Sequence, residues 1–461
     1  MTALWWALAV LAVLVTLPYW LPTAVVALRV KVFAWVNGEE GIPVPGPLVD
    51  TAAFRRVYGH PAADGRSRGA ALSDLFWYWL APGPEVHQEH LEPGPRYDEV
   101  ARCTRLILTG LDRKGWEDLV GRRAGALFDD WSRPGARAGT RAVRLRDLMM
   151  PLWAEVYYEL VFAEACPPEV RDLIVANADD VVSALKCTRL RHLDRRDDLT
   201  RYLERRVAAG SVPCVLPASL TTREQAYYLQ GTFFNTAVVQ MSEAMAHLLL
   251  AIATHPDVQR RLRSEADDDA YLGRVIEEAL RVYPLFGVAH RITSAEIAVE
   301  GAAAIPVGSV LLFNYSEYQH AGLADGEVFD PDRWLRITAR EINHIPFGIS
   351  ANRACPARGI APGTMRVAAR ELLDRFDLAS TAAHTRSLPN RGPCLLTPRQ
   401  SAPADAPAPR LRLVLMRIRD RWEGLGRSVV QLLLGSYMVW DARRQRLCQR
   451  YFAAQPLGGD S

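Results

Sequence analysis

The first long apolar stretch is free of charge: from Thr2 to Leu28 no side chain is charged at neutral pH. Leu4 to Leu28, wound as a helix at about 1.5 Å per residue, is long enough to cross a hydrocarbon core of roughly 30 Å. One transmembrane helix is therefore expected. A cleaved signal peptide is the rival, but no basic segment precedes the run, the run is too long, and no small-x-small site follows it. Pro18 and Pro22 would kink the span, and Gly41-Ile-Pro-Val-Pro-Gly-Pro47 predicts a stiff hinge behind it, since proline fixes φ and removes a donor. Farther along, the pattern predicts a long apolar helix over about 222–254 and another over about 363–376. Leu411 to Phe452 mixes apolar residues with many arginines, Trp422 and Trp440. Two readings stay open for that segment: a basic amphipathic helix in a membrane interface, or a helical pair packed back on the domain.

No linker-like break falls between 44 and 399, so one large domain is expected there. It is preceded by an anchor and hinge (1–43) and followed by an Ala/Pro-rich linker (400–410) and a helical extension (411–461). Arg29 and Lys31 directly follow the span, which by the positive-inside rule puts the bulk of the chain on the cytoplasmic side of a single-pass membrane protein. The net charge of +3 over 461 residues argues against a nucleic-acid binder with an extended basic face. Lys31, Lys114 and Lys186 are the only lysines among 55 basic residues, a bias of genomic base composition typical of a GC-rich bacterium. Seven scattered cysteines, none in a C-x-x-C pair, indicate neither a disulfide framework nor a zinc site.

Three short stretches carry the chemistry as a set. Glu278-Ala-Leu-Arg281 puts two opposite charges on one helix face, because residues three apart are neighbours. Phe329-Asp-Pro-Asp-Arg-Trp334 is a proline-bearing turn with an arginine beside an aromatic. Pro346-Phe-Gly-Ile-Ser-Ala-Asn-Arg-Ala-Cys-Pro-Ala357 brings a cysteine up to a helix. Each alone is weak: E-x-x-R pairs are mostly solvated surface partners, and a lone cysteine is more often a small buried residue. Their order and spacing change this, with Glu278 lying 77 residues and Arg333 22 residues before Cys355.

In that order and spacing the sequence resembles the cytochrome P450 family, over roughly 44–399 and most strongly from about His247 onward. The resemblance implies a mainly α fold with small β-sheets and a haem b, iron protoporphyrin IX, whose iron is ligated by Cys355. It also implies a structural network of Glu278, Arg281 and Arg333 beneath the haem loop. Arg353 and Arg291 would pair with the propionates, with His290 as a third partner, and Phe347 would shield the thiolate. A thiolate favours O–O cleavage and needs donors nearby, which the mouth of the following helix is expected to supply. Leu285, Phe286 and Val288, after the E-x-x-R helix, match a substrate-contacting segment, and core packing is the alternative for each.

Two departures stand out. Phe347 is eight residues before Cys355 where the family has seven, and Ala351 stands four before it where the family has glycine, as one inserted residue would explain; Ala357 replaces the usual glycine two after the cysteine. In the central helix the family's acid-threonine pair falls on Val239 and Gln240. One turn earlier Asn235 and Thr236 offer polar groups, Thr236 sharing a face with Gln240; they serve either as distal machinery or as polar spots on a buried helix. His87-Gln-Glu-His90 has metal-like spacing but no third ligand, and reads as a loop.

The activity implied is monooxygenation of a lipophilic substrate with dioxygen, with natural-product tailoring as a setting. No G-x-G-x-x-G segment for flavin or nicotinamide is evident, so a separate ferredoxin or flavodoxin-like donor is expected to deliver the electrons. Arg353, Arg358, Arg366 and Arg370 would offer it a basic face where exposed. Electron-independent isomerase, dehydratase or peroxygenase chemistry, and a non-catalytic haem-binding membrane protein, are the alternatives.

Overall fold

The computed structural model describes residues 2–37, 41–132, 139–265, 269–285, 287–384, 390–399 and 410–455. Helices dominate, with two small sheets. In the first sheet β1 (Ile42–Val44) runs parallel to β4 (Val310–Asn314), whose other edge pairs antiparallel with β3 (Val288–Ile292). In the second, β2 (Arg141–Arg144) and β5 (Phe376–Ala379) flank β6 (Pro393–Pro398), both antiparallel. The expected hinge is thus partly a strand: Pro43 sits opposite Leu312 on an edge strand, where a missing N–H is tolerated.

The core is organised around the central helix, Thr222–Thr254. A capping box starts it, with the Thr221 side chain accepting from the Glu224 N–H and the Glu224 carboxylate accepting from the Thr221 N–H. His255-Pro256 stops it. Its second half is apolar nearly all round, and Val238, Met245, Leu248, Leu249 and Ile252 are fully buried, as suits a helix enclosed by other helices. Between Gln230 and Ala237 the helix widens to π-helical winding, a distortion that recurs at functional sites. Against this rod pack Leu145–Phe162, the E-x-x-R helix Asp269–Val282 and the helix Ala361–Arg375.

At the ends, the N-terminal helix spans Thr2–Asn37 and the C-terminal region forms a long helix, Arg410–Gln445, followed by Leu447–Ala454. The linker expected at 400–410 lies, apart from Arg410, outside the described residues. The long C-terminal helix lies against the N-terminal helix and against Ala71–Leu80. Met438, Val439 and Ala442 join Leu75, Tyr78 and Trp79 in a small core of their own. The short last helix is tied down by Asp74, whose carboxylate accepts from the Cys448 and Gln449 N–H groups at 2.9 and 3.2 Å. One face of the extension therefore packs back on the domain.

Candidate active site

Glu278 is completely buried, and the fold surrounds it with donors. Arg281 donates to both carboxylate oxygens at 2.9 and 2.7 Å, Trp334 Nε1 donates at 3.1 Å, the Asp330 N–H at 3.0 Å and Arg333 Nε at 3.4 Å. Arg281 spends its remaining N–H groups on the carbonyls of Gly326 and Val328, and Arg333 forms a two-pronged pair with Asp325. The helix and the turn are thereby bolted together through one carboxylate. A buried charge so placed is held by the whole set, and losing a member strands the others.

That turn leads into the loop that carries Cys355. The loop is closed by its own backbone: the Cys355 N–H donates to the Phe347 carbonyl at 3.0 Å and the Arg358 N–H to the Cys355 carbonyl at 3.2 Å. Gly348 makes the turn at φ +73°, and a Cβ there would stand 2.9 Å from the Tyr58 hydroxyl. The helix that follows begins at Ala361, not directly at the cysteine. Residues 356–360 intervene, so the nearest helping donor is the Ala357 N–H in the connecting turn. Burial pushes the Cys355 thiol up to about 11 against that donor's pull. A protonated thiol becomes a ligand by giving its proton up to a metal.

Beside this loop the chain collects cations from distant segments. Arg291 on β3 donates to Asn352 Oδ1 at 2.8 Å and to the Tyr58 hydroxyl at 3.1 Å. Arg353, in a left-handed conformation at φ +50°, donates to the Leu91 carbonyl at 2.7 Å and lies over the Tyr97 ring. Burial, with Arg66 next in importance, lowers Arg353 to about 10. Arg66 reaches the carbonyls of Glu89 and His290, and its guanidinium pairs with the Glu89 carboxylate. His290 bonds through Nε2 to the Arg66 carbonyl at 3.0 Å and stacks on Phe76. Burial lowers His290 and His87 to about 4 and His90 well below its usual value, so all three are neutral at pH 7. Arg66 and Tyr97 went unnoticed in the sequence, because a lone residue of a common type carries no local signal; Glu89 and His90 were read only as part of a loop, and Asn352 only as part of the cysteine motif.

On the central helix, Thr236 Oγ1 is 2.6 Å from His87 Nε2, and the His87 ring packs so close to Gly231 that a Cβ there would stand 3.0 Å from it. Asn235 is buried, and Gln240, one turn on, is half-buried. Leu285 is half-buried, Val288 opens β3 with a half-exposed side chain, and Phe286 lies outside the described residues. Of the arginines around the loop, Arg366 pairs with Glu117 and Asp269, Arg370 with Asp269, and Arg353 is turned inward. Arg358 alone of the four is exposed without a carboxylate partner among the described residues.

Comparison with known proteins agrees with this architecture. The Cytochrome P450 family model matches residues 217–402. Cyclooctat-9-en-7-ol 5-monooxygenase of Streptomyces melanosporofaciens is 28% identical over 141 residues, 26% of this chain and 30% of that protein. Cytochrome P450 3A12 of Canis lupus familiaris is 30% identical over 155 residues, 29% of this chain and 30% of that one. The chain thus aligns with under a third of the length of these curated relatives. Among solved structures, a zebra fish cytochrome P450 with progesterone superposes with a TM-score of 0.61 at 17% identity, covering 77% of this chain and 94% of its own. A 6-coordinated cytochrome P450 of Thermus thermophilus gives 0.58 at 20% identity, covering 74% and 90%.

Proteins of this family bind haem through a cysteine thiolate, and the residues here fit that group on two counts. Arg66, Arg291 and Arg353 against Glu89 leave two positive charges in surplus beside the cysteine loop, and a haem carries two propionates. Arg291 Nε and Arg353 Nη2 are buried with no hydrogen-bond partner, as is His90 Nδ1, and buried guanidinium donors of this kind call for an acceptor. The matched segment contains Glu278, Arg333 and Cys355: over residues 217–402 the chain is similar to the cytochrome P450 family, and its fold is the one seen in the cytochrome P450 structures above.

Proposed function

We propose that this chain is a haem-thiolate monooxygenase that hydroxylates or epoxidises a lipophilic substrate, using dioxygen and electrons from a separate ferredoxin or flavodoxin-like protein. The observation that carries the reading is Cys355 held by its loop beside a cationic cluster with two charges to spare. Cys355 would ligate the iron, Arg291 and Arg353 would take the propionates with Arg66 and His290 supporting them, and Phe347 would cover the proximal side. Haem so bound supplies the activation of dioxygen. Glu278, Arg281 and Arg333 hold the ground under the loop and touch neither haem nor substrate.

On the opposite side, Thr236 and His87 are the polar pair available to hold and pass a proton, a task that needs a positioned hydroxyl or base. His87 is neutral, so one ring nitrogen accepts while the other donates. Asn235 and Gln240 flank this pair along the helix, and Leu285, Phe286 and Val288 are the apolar contacts proposed for substrate. The relative acting on cyclooctat-9-en-7-ol supports a lipophilic alcohol or hydrocarbon from natural-product biosynthesis as substrate class. Attachment to a membrane through the N-terminal helix, with the body on the cytoplasmic side, belongs to the same reading.

A second reading is favoured by one observation: Val239 and Gln240 occupy the place of the family's acid-threonine pair. An enzyme without that pair suits peroxide use, or the isomerisation or dehydration of an already oxygenated substrate. The deciding experiment is the carbon monoxide difference spectrum of the reduced protein, followed by turnover with and without a redox partner. A strongly red-shifted Soret band, lost in Cys355→Ala, and turnover only with reductant are expected. A folded, haem-loaded sample lacking the band would refute the thiolate; turnover without reductant would move the protein to the second reading.

A further inference from the structure

The long C-terminal helix buries one stripe and leaves the opposite one bare. Met416, Gly424, Ser428, Gln431, Gly435 and Met438 face the body and the N-terminal helix. At the same three-and-four spacing on the far side run Leu411, Leu415, Ile418, Trp422, Leu433 and Trp440, between 47% and 72% exposed. At about 1.5 Å per residue these positions stretch over about 44 Å. Arg421 flanks the stripe on one side and Arg412 and Arg419 flank it on the other, while Arg410 and Arg417 lie nearer the buried face. At the flank the helix closes a cavity of about 390 Å³ lined by Arg144, Arg146, Arg189, Arg391 and Arg427 with Glu423. Arg146 Nε and Arg427 Nε are buried there without a hydrogen-bond partner.

The N-terminal helix sets the depth. Arg29 donates to Gln431 at 2.5 Å and Arg421 lies over the Tyr19 ring at 4.1 Å, so both pairs are 402 positions apart and the two helices run parallel. The seam on the N-terminal helix is Pro18, Pro22, Val25 and Arg29. By the same offset, Arg417, Arg419, Asp420, Arg421, Glu423 and Arg427 stand level with residues 15–25 of the supposed span. Charges at bilayer mid-depth are strongly disfavoured, so this half of the N-terminal helix cannot enter hydrocarbon while the seam holds. Arg410 and Arg412, at the start of the C-terminal helix, stand level with residues 8 and 10 by the same offset, so the length clear of these charges is Thr2 to Ala7. Its 6 residues reach about 9 Å, short of a core of roughly 30 Å.

We propose that the C-terminal helix lies flat in the interface of a membrane containing anionic lipid, bare stripe downward and headgroup phosphates beside its arginines and at the flanking cavity, while the N-terminal helix dips in without crossing. The occupant is lipid because the stripe is bordered by arginines and carries Trp422 and Trp440, residues suited to an apolar body in a polar boundary. The tip of the N-terminal helix continues the same apolar surface. Both helices then act as one seat, which the expected single-pass anchor is not.

The inference rests on the membrane attachment proposed above, and the two fail separately. The full chain, with Cys166→Ser and Cys214→Ser, is reconstituted in sealed vesicles of phosphatidylcholine and phosphatidylglycerol, carrying an environment-sensitive label at Leu433→Cys or, as control, at Arg105→Cys. Nitroxide-bearing lipids are expected to quench the Leu433 label at least fivefold more than the Arg105 label. Leu415→Glu with Trp422→Glu should remove that difference, and vesicles of phosphatidylcholine alone should at least halve it. An epitope added before Met1 should be cleaved by external protease. Equal quenching at both positions, or a label at Leu433 buried by a second copy without lipid, overturns the seat. Quenching that ignores phosphatidylglycerol overturns the anionic requirement, and a protected epitope overturns the dip in favour of a span. A chain that does not float with the vesicles at all sinks the membrane attachment itself.

Discussion

Replacing Glu278 by glutamine tests the buried ion network most directly. The side chain has no exposed surface and accepts from five donors, two of them on Arg281 at 2.7 and 2.9 Å. Glutamine keeps one acceptor oxygen and turns an NH₂ toward a guanidinium whose only ion pair among the described residues is with Glu278. Breaking a buried pair from one side costs about 3–5 kcal/mol, a large fraction of the about 5–15 kcal/mol that holds a typical domain folded. Arg333 suffers less, because Asp325 still accepts from it at 2.8 and 2.9 Å. Arg281→Met costs about the same 3–5 kcal/mol from the other side, leaving a carboxylate with only its weaker donors. In the double variant Glu278→Met/Arg281→Met the stranded charge is gone. What remains unpaired is the Trp334 and Asp330 N–H groups, Arg333 Nε and the Gly326 carbonyl, at about 1–3 kcal/mol apiece before local relaxation. The double variant should therefore fall short of the sum of the singles by at least about 2 kcal/mol, the range of coupling seen for residues sharing a network. Urea unfolding followed by far-UV circular dichroism measures this, with haem content read in parallel and expected to vanish in Glu278→Ala and Arg281→Ala. Single variants costing under about 1 kcal/mol and strictly additive, or with full haem content, would refute the role given to the network.

Three further outcomes are expected. His87 is held near 4 by burial, below the 6.5 of an unfolded histidine; the unfolded chain binds the extra proton, so stability falls as pH drops from 6.5 toward 4, by about 2 kcal/mol at pH 5 from this group. Urea midpoints at pH 7 and pH 5 should show that His87→Phe removes this share of the loss. Thr236→Val should lower reductant-driven turnover by about 10²-fold, in line with the loss of a positioned proton carrier, while leaving peroxide-supported turnover and the carbon monoxide spectrum unchanged; equal loss in both assays would assign Thr236 to packing. Gly348→Ala should cost about 1–2 kcal/mol for the left-handed backbone and push on the Tyr58 hydroxyl that Arg291 uses, so a shifted Soret maximum should accompany the fall in urea midpoint.

Sequence alone determined what local pattern and fixed spacing can carry. Cys355, Glu278, Arg281 and Arg333 were legible because the loop, the helix and the turn are each short contiguous words whose order is read along the chain. The central helix over Thr222–Thr254 was legible because apolar residues fill it and His255-Pro256 ends it. Tertiary structure alone decided the rest, wherever function depends on segments remote in sequence. Arg66 meets Arg291 and Arg353 across more than two hundred residues, and His87 meets Thr236 across 149, distances over which no periodicity survives. The widening at Gln230–Ala237 leaves no mark in composition, so the side chains it re-aims could not be placed beforehand. The same holds at the two ends: each helix was visible by itself, yet the register that sets Arg421 over Tyr19 and Arg29 against Gln431 exists only when both are packed. An apolar run reads as a span when its neighbours are unknown, and here the neighbour's charges decide how deep it can go.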